Sequence, residues 1–259
     1  MVNLGSDKMI SKTLIKMIPI AKYRKRLLYK YYPELSLGFH INKNTRILVV
    51  CPHPDDEMLG AGGFMIKNAK HIDCLCMASA GVKTQKIDAE PRADLRIKEF
   101  HKVMDTIGVK NRWIFKTFGI PPMCDQIQNY FDDYCKILDL KKYDYIFLPN
   151  PDDNHPEHQF ITNKLFKKIL HHNGYNPDTQ IVFYEVWRPI PFPHLFYDIS
   201  DVAKKKFKVI GLYKSQNGWI KYPFRIEGLN RYRGMLSNNI DYAEAFGFMR
   251  IKKYLKDKK

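Results

Sequence analysis

Short apolar runs alternate with stretches of helical period along most of this chain. TRILVVC (45–51), HIDCLCMAS (71–79), RWIFKTF (112–118), DYIFLPN (144–150) and TQIVFYEVW (179–187) read as strands. Between them lie helical patterns from about 59 to 69, and over 91–108, 125–143 and 155–172. The 91–108 segment has Pro91 at its start and Gly108 at its end, the asymmetry a helix prefers. Strands joined by helices of this length cannot pair as hairpins. They pair in parallel, and helices then cover both faces of the sheet. The expected fold is therefore α/β, a Rossmann-like, mostly parallel sheet with helices on both faces. The Pro- and aromatic-rich text after 188 is expected to wrap over the sheet edge.

At 259 residues with 45% apolar content the chain can bury a sizeable core, and no run approaches the ~20 apolar residues of a membrane span. The expected organisation is a basic amphipathic N-terminal extension over 1–42, one α/β domain over 43–249 and a basic tail over 250–259. Five cysteines, at 51, 74, 76, 124 and 135, lack the spacing of a disulfide framework and suit a reducing cytoplasm. Cys74 and Cys76 are expected on opposite faces of their strand, too far apart to share a metal.

The formal net charge of +16 calls for an acidic partner: nucleic acid, an anionic membrane or an acidic substrate. Residues 8–30 hold eight Lys/Arg, interleaved with Met9, Ile10, Leu14, Ile15, Leu27 and Leu28. A basic amphipathic segment of this kind suits the inner face of a cell membrane, so peripheral contact there is expected. The lysines gather at the termini and no nucleic-acid-binding motif accompanies them, so no nucleic acid is expected. A basic nucleic-acid-binding protein is the non-enzyme alternative.

In a parallel sheet the ligand site lies beyond the carboxyl ends of the strands. Two acidic-histidine clusters fall there: His53, Asp55, Asp56 and Glu57 after the first strand, and His155, Glu157 and His158 after the fourth. Two imidazoles and a carboxylate make a three-ligand zinc site with one position left for water. A further carboxylate and a further histidine can then move protons and stabilise an oxyanion, an inventory for hydrolysing an amide. The glycines of GAGG (60–63) lack the lysine of a phosphate loop and read as close packing of helix on strand.

PHPDDE (52–57) after a first strand, with HPEH (155–158) after a later one, resembles the PIG-L/LmbE family of zinc-dependent N-acetylglucosaminyl deacetylases. RIKEFHKVMDTIGV (96–109), YKSQ (213–216) and YAEAF (242–246) are similar to further elements of that family. The resemblance implies that His53, Asp56 and His158 ligate Zn2+, and that Asp55 is the general base. It implies that His155 stabilises the oxyanion or acts as the acid, and that Arg96, with Arg92 as its rival, contacts substrate. Glu157 stands where the family commonly has Asp, and the tyrosine some members place before this motif is absent; Tyr184 or Tyr213 could replace it. The substrate implied is an N-acetylated amino sugar, on a lipid-linked or cell-envelope precursor. The alternative is a soluble glucosaminide of a thiol-cofactor or antibiotic pathway. Trp187, Trp219 and Tyr222 are candidates for stacking on sugar faces.

Overall fold

The computed structural model describes residues 38–80, 89–117, 127–218, 220–237 and 240–256. The basic segment at 8–30 and Trp219 lie outside them. Among the described residues, seven strands form one sheet in the order β3-β2-β1-β4-β5-β7-β6. They are β1 (Ile47–Cys51), β2 (Ile72–Cys76), β3 (Asn111–Ile114), β4 (Tyr145–Pro149), β5 (Gln180–Tyr184), β6 (Leu195–Asp198) and β7 (Ala243–Arg250). β1 to β5 pair in parallel, whereas β7 runs antiparallel to both β5 and β6. The Rossmann-like, mostly parallel sheet is thus present. The text after 188 extends it by two strands instead of wrapping its edge: β7 pairs along β5, and β6 then pairs along β7.

The helices are α1 (Asp56–Asn68), α2 (Ala89–Ile107), α3 (Ile127–Ile137), α4 (Pro156–Phe160), α5 (Phe166–Asn173), α6 (Ala203–Ile210), α7 (Tyr222–Met235) and α8 (Ile251–Lys256). A π-turn over Ile161–Leu165 joins α4 to α5, so 155–172 is one broken helix. The 125–143 pattern is also broken, ending as α helix at Ile137 and resuming as a 3-10 turn at Leu140–Lys142. Gly108, at φ 88°, takes up the left-handed position that closes α2.

Alternate strand residues supply two cores. Val49, Cys51, Cys74, Cys76, Phe147 and Val182 face α1, α2, α6 and α7. Leu48, Val50, Leu75, Ile146, Leu148 and Ile181 face α3, α4, α5 and α8. Cys74 and Cys76 therefore share a face, contrary to the expectation above, because residues two apart on a strand point the same way. Burial pushes the thiols of Cys51, Cys74 and Cys76 up, which keeps them as small apolar side chains.

The strand order reverses at β1: β2 and β3 lie to one side and β4 and β5 to the other. The loops leaving β1 and β4 diverge here, and the crevice between them is where the fold places a ligand.

Candidate metal centre and active-site loops

The first loop leaves β1 at Cys51 and reaches α1 at Asp56. Asp55 turns the corner at φ 113°, ψ −36°, a strained conformation for a side-chain-bearing residue that costs about 1–3 kcal/mol. Its surroundings hold it there. The Asp55 N–H donates to Glu57 Oε2 at 3.2 Å, and its carbonyl accepts from Met58 and Leu59 at 3.0 and 2.9 Å. Glu57 is itself fixed by a hydrogen bond from the Tyr213 hydroxyl. Burial pushes Glu57 up to about 7, with the Tyr213 contact opposing.

The second loop leaves β4 at Pro149, and His155 caps α4 ahead of Pro156. Asp153, fully buried, organises it. Asp153 Oδ1 accepts the His155 N–H at 2.8 Å and lies 3.5 Å from His158 Nδ1; its Oδ2 accepts the Trp187 N–H at 3.0 Å.

Between the loops, buried His53, Asp56 and His158 present donor atoms that all lie within 4.8 Å of one another. Asp56 Oδ2 is 3.4 Å from His53 Nδ1 and 3.2 Å from His158 Nε2. A tetrahedral zinc with ligands at about 2.0–2.1 Å sets its donor atoms about 3.3 Å apart. Neither ring nitrogen of His158 makes a hydrogen bond, although both are buried. The remaining ring nitrogens face carboxylates, His53 Nε2 at 2.7 Å from Glu157 Oε2 and His158 Nδ1 toward Asp153. This is the arrangement that sets the tautomer and orientation of a ligating histidine. Donor set, spacing and orphaned nitrogens fit a divalent cation.

The charges agree. Burial works against ionising Asp56, but the His158 and His53 rings overrule it and hold Asp56 well below the carboxylate range. His158 is pushed up to about 10: burial opposes protonation, while Asp56 and Asp153 more than offset it. Asp55 behaves oppositely. Burial, then the neighbouring Asp56 charge, push its carboxyl well up, and Arg96 only partly compensates. Burial and the His158 and His53 rings lower the pKa of half-buried His155, whose Nδ1 makes no hydrogen bond.

Of the two arginines, Arg96 is the one turned inward. Its Nη2 donates to the Pro54 carbonyl at 3.0 Å and stands 4.0 Å from Asp55 Oδ1, whereas Arg92 is exposed. Tyr184 and Tyr213 do not present hydroxyls to the crevice, since they donate to the Val50 carbonyl and to Glu57. Tyr222 is nearer: burial, then the charges of Asp55 and Asp56, push its hydroxyl up, and its ring lies 6.1 Å from the exposed indole of Trp187. Sequence reasoning passed over Asp153. The available signal was a carboxylate two residues before His155.

The more distant motifs also find partners. Ser215 of YKSQ donates its N–H and hydroxyl to Glu99, three residues after Arg96, at 2.9 and 2.5 Å. Glu244 of YAEAF accepts the N–H groups of Gly63 and Phe64 at 2.6 and 2.8 Å. A Cβ on Gly60 would press against the Tyr184 ring and come within 2.5 Å of the Glu185 carbonyl, so that glycine is close packing of helix on strand.

These loops line a crevice at the switch point of an α/β sheet, and comparison with known proteins shows what the chain is similar to. Residues 48–169 match the PIG-L family profile, described as GlcNAc-PI de-N-acetylase. The chain carries a PIG-L family domain over that span. It is similar to the diacetylchitobiose deacetylase of Thermococcus kodakarensis, 23% identical over 244 residues, covering 83% of this chain and 88% of the relative. Among solved structures it resembles the N,N'-diacetylchitobiose deacetylase of Pyrococcus horikoshii bound to its inhibitor MPG, at TM-score 0.66 and 22% identity, covering 88% of this chain and 92% of that one. It also resembles GalB, the 4-carboxy-2-hydroxymuconate hydratase of Pseudomonas putida, at TM-score 0.61 and 17% identity, covering 79% and 96%. At these identities the likeness establishes the fold, and the hydratase shows that the fold alone leaves the reaction open.

Proposed function

We propose that this protein is a metal-dependent N-deacetylase that hydrolyses the acetamide of an N-acetylglucosamine or related N-acetyl sugar. The observation carrying the reading is the buried His53–Asp56–His158 triangle beside Asp55, a further carboxylate it does not use. His53, Asp56 and His158 would hold a Zn2+, which when bound supplies Lewis-acid polarisation and lowers the pKa of water. The protein's own groups do the rest. Asp55 takes the proton of the attacking water as the new carbon–oxygen bond forms. Its burial and the Asp56 charge favour the protonated product of that transfer. His155 stabilises the developing oxyanion, or returns a proton to the nitrogen as the carbon–nitrogen bond breaks to give acetate and the free amine. Arg96 contacts the substrate from the Asp55 side.

The finer reading is that the sugar is lipid-linked or part of a cell-envelope precursor, met at the cytoplasmic face of the membrane. The net charge of +16 supports it. No helix among the described residues is long and apolar enough to cross a membrane, so contact with lipid would be peripheral. The second reading is a soluble amino-sugar substrate, supported by relatives named for diacetylchitobiose.

The test is acetate release, with and without a chelator, from a free N-acetyl sugar, a soluble glycoside, a nucleotide sugar and a diphospholipid-linked sugar. Chelator-sensitive acetate from the lipid-linked substrate in preference to the others supports the finer reading. Preference for the soluble glycoside selects the second. Acetate release that survives complete metal removal overturns the metal-dependent mechanism.

A further inference from the structure

A surface helix normally buries one apolar stripe and turns polar side chains to solvent. α7 does not. Its inward row, Tyr222, Ile226, Asn230 and Arg233, is buried against the domain. Its outward side carries Phe224, Tyr232 and Met235, 77%, 53% and 58% exposed, and Leu236 just past its end is also exposed. Residues 224, 228 and 235 recur at helical spacing, and a Cβ on Gly228 would meet nothing within 4 Å, so this row stands clear of the domain. Seven large apolar side chains are exposed among the described residues, and four belong to this strip. A fifth, Trp187, touches Tyr222 at the start of α7. Exposed apolar surface gathered in this way marks an interaction site.

The charges choose the partner. Lys221, Arg225 and Arg231 are exposed along the same strip, and the acid beside them, Glu227, is engaged by Arg231 at 2.9 Å and by the Tyr242 hydroxyl at 3.0 Å. A second copy docking through a two-fold axis would set this basic strip against itself, juxtaposing like charges. An anionic bilayer satisfies both features. Phe, Tyr and Met sink into the headgroup boundary, and Lys and Arg meet lipid phosphates.

We propose that the outward face of α7 is the surface by which this protein seats on an anionic phospholipid bilayer. The inference rests on the reading of the substrate as membrane-borne. It adds the orientation: α7 starts at Tyr222, whose ring lies 6.1 Å from that of Trp187, itself held by Asp153 of the second loop, so a seated α7 brings the mouth of the crevice down to the headgroups.

The full chain is sedimented with phosphatidylcholine vesicles, with and without phosphatidylglycerol. Wild type binds the anionic vesicles. Phe224→Asp with Met235→Asp, both at exposed positions, weakens that binding about tenfold or more, and acetate release from a soluble substrate is unchanged. Arg225→Glu weakens binding and makes what remains less sensitive to salt. Wild-type affinity in the double variant overturns the assignment and places membrane contact elsewhere, such as residues 8–30. Absence of wild-type binding overturns it outright. So does a loss of oligomeric mass in the double variant with vesicle binding intact, which makes the strip an interface between copies. Failure of the deacetylase reading is separable, since it appears as silence in the acetate assay with vesicle binding retained.

Discussion

Two adjacent aspartates illustrate how position assigns chemistry. Asp56 lies on the first turn of α1, accepts the His53 N–H at 2.9 Å and faces two imidazoles, so it is held ionised. Asp55, one residue earlier, is turned away by its positive φ and meets Arg96 from a distance. Asp55→Ala is therefore expected to keep metal stoichiometry while kcat falls about 10²–10⁴-fold, whereas His158→Ala or Asp56→Ala loses the metal itself. Metal content by mass spectrometry beside kcat separates the two classes, and near-normal turnover in Asp55→Ala would remove the general base. Asp153 acts through others. Asp153→Asn keeps the size of the side chain but cannot present two carboxylate oxygens to His155, His158 and Trp187. It is expected to weaken metal affinity about 10–100-fold, read by competition with a chromogenic chelator. Unchanged affinity would leave Asp153 with a purely structural role in the loop.

At the scale of elements, α1 is broken on purpose. Ala61 leaves helical geometry at φ −133°, ψ 15°, which frees the Gly63 and Phe64 N–H groups and the Leu59 carbonyl inside the core. Glu244 of β7 accepts the first two, and Lys206 of α6 donates to the third at 3.1 Å and to Glu244 at 2.8 Å. Asn230 of α7 accepts from Lys206 at 2.9 Å. One buried ion pair thus restarts α1 after its kink and ties three later elements to the helix whose first turn carries Asp56. Glu244→Ala leaves a buried cation and two buried donors unpaired, and is expected to cost about 3–5 kcal/mol of stability by denaturant unfolding. A cost under about 1 kcal/mol would mean that water reaches the gap.

Across the whole molecule, the triangle joins the loops of β1 and β4, two strands whose crossovers leave in opposite directions, so a bound cation would cross-link the halves of the sheet. Ion binding to the folded state alone raises stability by about 2.7 kcal/mol at a hundredfold excess over Kd. Zn2+ is thus expected to raise Tm in the wild type and not in Asp56→Ala, by differential scanning calorimetry. An equal shift in both would place the ion elsewhere.

Much of this was legible in one dimension because the signals are local: β-branched runs with period two, PHPDDE and HPEH each confined to one loop, and a terminal Gly108. Their placement at strand ends follows from parallel connectivity, which is why the candidate ligands could be named before their geometry was seen. Composition likewise fixed the excess of positive charge. Other features depended on contacts between residues far apart in the chain. Periodicity suggested no strand after residue 188, since Ala243–Arg250 becomes one only by pairing with β5. Arg96 over Arg92, Asp153 as the hub of the second loop, and the fit of Glu244 and Lys206 into a kink 140 or more residues away are all decided by packing. The exposure of Phe224 and Met235 is of the same kind, because a sequence displays both apolar faces of α7 and only the folded domain decides which of them is left facing outward.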